Sequence, residues 1–113
     1  MFFMAAHKTI RASDLTPESC KSATILDVRT NKEHADACLD LPHIHIPMDE
    51  SHPESLVHDH GLAKDAKLYI LCLAGKRAVA VASQLTKAGY TDVHVIEGGL
   101  MGCQACGQTI KKG

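Results

Sequence analysis

A chain of 113 residues with a formal net charge of −1, 45% hydrophobic and 22% charged, has the length and balance of one globular domain spanning residues 1–113. The near-neutral charge argues against a general nucleic-acid binder, and no apolar run approaches the ~20 residues of a membrane span. Residues 1–6 are apolar but too short, and without a basic start, for a secretory leader; the expected setting is therefore cytoplasmic, with five cysteines that form no disulfide framework.

In chain order, Lys8 to Arg11 is a short strand. Ser13 is placed to cap a helix over Asp14 to Cys20, with Pro17 tolerated early. The apolar run Thr24-Ile25-Leu26-Asp27-Val28 suits a buried parallel strand that delivers Asp27 and Arg29 at its carboxyl end. Thr30 or Asn31 caps a short helix from Lys32 to Ala37. His43-Ile44-His45-Ile46-Pro47 alternates as a strand does, and Pro47 ends it. A helix from Pro53 to His60 stops at Gly61. Lys67 to Cys72 is the strongest strand. Arg77 to Ala88 reads as a helix with an apolar stripe of Val79, Ala82, Leu85 and Ala88, closed by Gly89. Val93 to Ile96 is a further strand, Gly98-Gly99 opens a short helix over Leu100 to Ala105, and the polar tail from Gln108 frays. Strand and helix alternate throughout, which implies an α/β fold with a central parallel sheet of about five strands and helices on both faces. With no tryptophan, two phenylalanines and two tyrosines, the core is expected to be aliphatic.

Ligands of open α/β sheets bind beyond the carboxyl ends of the strands. Cys72 stands there, followed by Leu73-Ala74-Gly75-Lys76-Arg77-Ala78 and the helix. Gly75 permits a tight turn, the loop amides can form an anion cradle, and Lys76 and Arg77 add positive charge at its rim. Such a cradle favours an anionic sulfur, whether thiolate or persulfide. A loop that wraps phosphate has its arginine six residues after the cysteine; here that position is Ala78, and the arginine is Arg77. The shorter spacing favours sulfur transfer over phosphoryl transfer.

At this point the sequence resembles the single-domain rhodanese (thiosulfate sulfurtransferase) family over nearly its whole length. The residues that carry the resemblance are Asp27-Val28-Arg29 at a strand end, Glu33-His34 where the family has Glu-Phe, Ile46-Pro47, the loop Cys72 to Ala78, and Glu97-Gly98-Gly99. Gly107-Gln108-Thr109-Ile110 is similar to the family's closing segment. The resemblance implies a rhodanese-like three-layer α/β/α fold. It implies a reaction in which Cys72 takes sulfane sulfur from thiosulfate or a similar small donor and passes it to cyanide, a thiol or a protein acceptor, with no cofactor. Residues 73–78 would bind the donor, Arg29 and Glu33 would form a supporting ion pair, and Asp27 would anchor neighbouring backbone. Alternatives on the same loop are a non-enzymatic persulfide carrier and, with less support, a phosphatase- or arsenate-reductase-like enzyme. The sequence departs from the family where Gly-His-Ile-Pro-Gly-Ala is replaced by residues 37–43, and where Cys103 stands near an expected aromatic.

Cys103 and Cys106 form a CxxC pair that can be read as a redox dithiol, half a metal site or a thiol that resolves the Cys72 persulfide, or as a core filler beside an incidental thiol; the filler is favoured. No second CxxC completes a zinc site, and the His43/His45 spacing, although able to chelate, more often faces solvent; no metal is expected. Cys20 and Cys38 read as packing residues. Oligomeric state is not legible.

Overall fold

The computed structural model describes residues 8–47 and 53–113, so the reading of residues 1–6 lies outside it. Along the chain, β1 (Lys8–Arg11) leads through a 3-10 turn (Ala12–Asp14) to α1 (Ser19–Ser22), β2 (Thr24–Asp27) and α2 (Asn31–Asp36). Then come β3 (Cys38–Leu39), β4 (Ile44–His45), α3 (Pro53–Asp59), β5 (Leu68–Leu71), α4 (Lys76–Lys87), β6 (Val93–Glu97), α5 (Gly99–Ala105) and β7 (Ile110–Lys111). Five strands pair in parallel in the order β1-β6-β5-β2-β4. β5 lies at the centre, and all four of its residues are buried.

Alternation along the strands divides the core into two layers. Leu26, Ile70 and Val95 face one side and pack with Val57 of α3 and Ala78, Ala82 and Leu85 of α4. Ile25, Tyr69, Leu71 and Ile96 face the other and pack with Leu15, Leu100 and Cys103. The result is the expected three-layer arrangement, with the carboxyl ends of β2 and β5 adjacent: Asp27 is in register with Leu71, one residue before Cys72.

Several local expectations are corrected. The helix over Asp14 to Cys20 is instead a 3-10 turn and a separate single turn, α1. Pro17 disfavours a helical conformation at Thr16; Thr16 and Ser19 exchange side chain-to-amide hydrogen bonds of 3.0 and 3.1 Å and start a new turn. In α4 the buried face is Ala78, Val81, Ala82 and Leu85, whereas Val79 is 44% exposed. A spacing of three drifts off the face of a 3.6-residue helix, and the observed 3-1-3 spacing follows it. The tail is tied down: β7 pairs antiparallel with β3, and the Gln108 amide donates to the carbonyls of Ala12 and Leu15 at 3.1 and 2.6 Å. Both tyrosines join the largely aliphatic core, Tyr69 at 5% exposure and Tyr90 at 1%, as do Cys38, Cys72 and Cys103.

Candidate functional site

Cys72 follows β5 directly, and only 1% of its surface is exposed. The chain turns back over it at Gly75, whose φ of 100° is open to glycine and strained for other residues. α4 starts at Lys76, so its first amides have no carbonyl one turn earlier to bond. Two loop amides are aimed at the sulfur instead: Gly75 N donates to Cys72 Sγ at 3.0 Å and Ala78 N at 3.3 Å. The sulfur therefore sits at the positive end of a twelve-residue helix, with two backbone donors on it.

The floor of the loop is held by α5. Leu100 N donates to the Cys72 carbonyl at 2.8 Å and Met101 N to the Leu73 carbonyl at 3.0 Å. That docking needs Gly98 and Gly99, with φ of 77° and 60°. A Cβ on Gly99 would overlap the Cys72 carbonyl oxygen and lie 2.6 Å from the Leu73 carbonyl carbon. The sequence marked this Gly-Gly turn without showing that it carries the loop. Gly99→Ala is expected to destabilise the fold by about 2–3 kcal/mol, combining left-handed strain with overpacking. A urea melt monitored by circular dichroism measures this, and a midpoint unchanged from the parent would contradict the contact.

The charged groups are brought together, but in a pairing that corrects the expected Arg29–Glu33 bridge. Arg29 folds back on Asp27: its Nε lies 3.0 Å and its Nη2 2.8 Å from the Asp27 carboxylate oxygens. Both residues are buried, and the guanidinium also donates to the carbonyls of Glu33 at 3.3 Å and Ala37 at 2.7 Å. The Asp27 carboxylate also accepts the Arg29 amide at 3.0 Å. The Glu33 carboxylate is thereby left to Arg77, which it meets in a bidentate pair of 2.9 and 2.8 Å. The difference arises because α2 begins after Arg29: Thr30 caps it in a reciprocal capping box with Glu33, so Arg29 stands outside the helix and cannot reach Glu33 as a helical neighbour. The Arg77 guanidinium holds the Glu33 carboxyl down at about 2. Among the described residues no ion pair involves Lys76, which stands exposed at the same rim. A groove lined by Thr9, Ala74, Lys76, Val79, Val95 and Gly98 opens beside the loop.

The CxxC cysteines part company. Cys103 is wholly buried among Leu15, Leu39, Leu71 and Leu100, and burial pushes its thiol up to about 11. Cys106 is exposed, with its Sγ 3.3 Å from the Cys103 carbonyl oxygen to which it donates.

Beyond α2, three residues not connected by sequence reasoning converge. His34 Nε2 lies 2.9 Å from His43 Nε2, and the donor atoms of His34, Cys38 and His43 all fall within 4.8 Å of one another. His43 Nδ1 lies 2.7 Å from the Leu41 carbonyl oxygen. The His34 ring stacks on His45, whose own Nε2 is 2.8 Å from the Arg29 carbonyl oxygen. Burial, reinforced by His45, lowers the proton affinity of His34.

A family model described as rhodanese-like domain matches residues 12–106. Among solved structures, the chain is similar to a rhodanese-related protein from Thermoplasma volcanium, with a TM-score of 0.73 and 27% identity over 93% of this chain and 98% of that one. It is also similar to a rhodanese-like domain protein from Staphylococcus aureus, with a TM-score of 0.70 and 27% identity over 93% and 99% of the two chains. A rhodanese-like domain from Anabaena shares the fold, with a TM-score of 0.75 at 22% identity over 95% of this chain and 80% of that one. No curated protein sequence matches the chain. No helix among the described residues is long and apolar enough to cross a membrane.

Proposed function

The chain belongs to the rhodanese-like domain family, and from that premise we propose that it is a sulfurtransferase that carries sulfane sulfur on Cys72. The observation that carries this reading is the pair of amides, from Gly75 and Ala78, directed at Cys72 Sγ. They stabilise negative charge on that sulfur without any side chain having to move. With thiosulfate as donor, the Cys72 thiolate attacks the outer sulfur. A new S–S bond forms, the bond to the sulfonate breaks, and sulfite leaves with the electron pair. The persulfide then gives its outer sulfur to cyanide, leaving as thiocyanate and the restored thiolate, or to a thiol acceptor approaching along the neighbouring groove. Cys103, buried and hard to ionise, is poorly suited to resolving this persulfide, so we assign it to packing.

Donor binding falls to the loop amides and Lys76, because Arg77 is already occupied by Glu33. Arg77→Ala is then expected to raise the KM for thiosulfate about fivefold with little change in kcat. The loss exposes an unpaired carboxylate at the rim, and one surface charge is worth about 1 kcal/mol. Arg77→Ala combined with Glu33→Gln is expected to recover most of the affinity. Steady-state kinetics checks this, and a double variant as weak as Arg77→Ala would assign donor binding to Arg77 itself. The Glu33–Arg77 pair stabilises the fold fully above the ordinary glutamate pKa of about 4.3. That contribution is lost as pH falls toward about 2. Because the pair is partly exposed, it is worth only about 0.5–1 kcal/mol.

The function is tested by thiosulfate:cyanide turnover beside aryl-phosphate hydrolysis on the same preparation. Thiocyanate production without phosphatase activity supports the proposal. Persulfide formation with negligible turnover would favour the carrier, and phosphate release would overturn both.

A further inference from the structure

His34, Cys38 and His43 come from three separate elements: α2, β3 and the segment before β4. All three stand where the sequence departs from the family pattern, His34 in place of the phenylalanine of the Glu-Phe pair, and Cys38 and His43 within the replaced stretch 37–43. Three residues from these two departures, distant from Cys72 in sequence, converge on one spot. Two are imidazoles turned edge to edge, and the third is a buried thiol.

The donor set is complete enough to hold an ion. Imidazole nitrogens and a thiolate suit a soft cation with a filled d shell; Zn²⁺ takes them at about 2.1 and 2.3 Å, which sets tetrahedral neighbours about 3.4–3.6 Å apart. The 2.9 Å between the two Nε2 atoms and the 4.8 Å limit on all three bracket that spacing. With His43 Nδ1 donating its proton to the Leu41 carbonyl at 2.7 Å, His43 Nε2 is left as a bare lone pair. Metal-bound histidines are oriented in this way by a carbonyl on their other nitrogen. His45 is not part of the set, since its Nε2 is engaged by the Arg29 carbonyl.

We infer that His34, Cys38 and His43 form a binding site for one soft d10 cation of the Zn²⁺ type, separate from the Cys72 loop. Binding replaces the His34–His43 hydrogen bond with two metal–nitrogen bonds and one metal–sulfur bond. The Cys38 thiol gives its proton to the buffer, and a water occupies the fourth position. The ion would tie α2 to the segment that leads into β4.

The test uses the full chain, titrated with Zn²⁺ against a chromogenic chelator and with Co²⁺ for its thiolate charge-transfer absorption. One equivalent should bind, with a single thiolate on Co²⁺. Cys38→Ser should abolish the charge-transfer band, and Cys38→Ser and His43→Gln should each weaken Zn²⁺ binding about a hundredfold or more. Cys72→Ser and Cys106→Ser should leave the site unchanged. His43 is only partly buried, so His43→Gln keeps the test open if Cys38→Ser misfolds. A band that survives Cys38→Ser, a band lost with Cys72→Ser or Cys106→Ser, or no stoichiometric binding would overturn the site. None of these readouts depends on sulfur transfer.

Discussion

Replacing Cys72 by serine is expected to lower thiosulfate:cyanide turnover by at least about a thousandfold, with little change in thermal stability. The reaction needs a covalent sulfur carrier, and a serine hydroxyl at neutral pH is neither nucleophilic enough nor able to form a persulfide. The fold should survive, because a hydroxyl oxygen in place of Sγ can accept the same Gly75 and Ala78 amides. The two readouts together are informative. Lost turnover in a protein that melts like the parent isolates the chemistry of the sulfur, whereas a collapse of both would show only that Cys72 packs the core.

Asp27→Ala is expected to cost about 3–5 kcal/mol, the largest stability effect predicted for this chain. It leaves the charge of Arg29, a residue 1% exposed, without its carboxylate. Against a typical domain stability of about 5–15 kcal/mol, that loss populates the unfolded state measurably. The backbone around α2 should loosen first, since Arg29 also ties down the Glu33 and Ala37 carbonyls. Asp27→Asn, which keeps an acceptor for the Arg29 amide and guanidinium, should cost clearly less. Chemical denaturation of the three proteins checks the order, and an Asp27→Ala variant within 1 kcal/mol of the parent would contradict it.

The parallel sheet and the Cys72 loop were legible because each has a local signature. β5 is apolar at every position, and a glycine three residues after the cysteine marks the turn into α4. What escaped was set by contacts between distant residues. Glu33 lies four residues after Arg29, a helical spacing, yet the helix starts too late to use it, and only the folded chain brings Arg77 alongside. The β3–β7 pair consists of two-residue strands, too short for any periodicity to register. His34, Cys38 and His43 have no motif spacing and meet only because α2, β3 and the approach to β4 fold over one another. For Cys103 the sequence already favours a core filler over a dithiol, and the structure adds that it is wholly buried whereas Cys106 is exposed.

The central claim is that Cys72 holds a transferable sulfur atom, and intact mass spectrometry tests it most directly. Incubation with thiosulfate should add about 32 Da to the parent chain, cyanide should remove it, and Cys72→Ser should never acquire it, as expected of a covalent sulfur intermediate. No adduct on the parent chain, or an equal adduct on Cys72→Ser, would contradict the account.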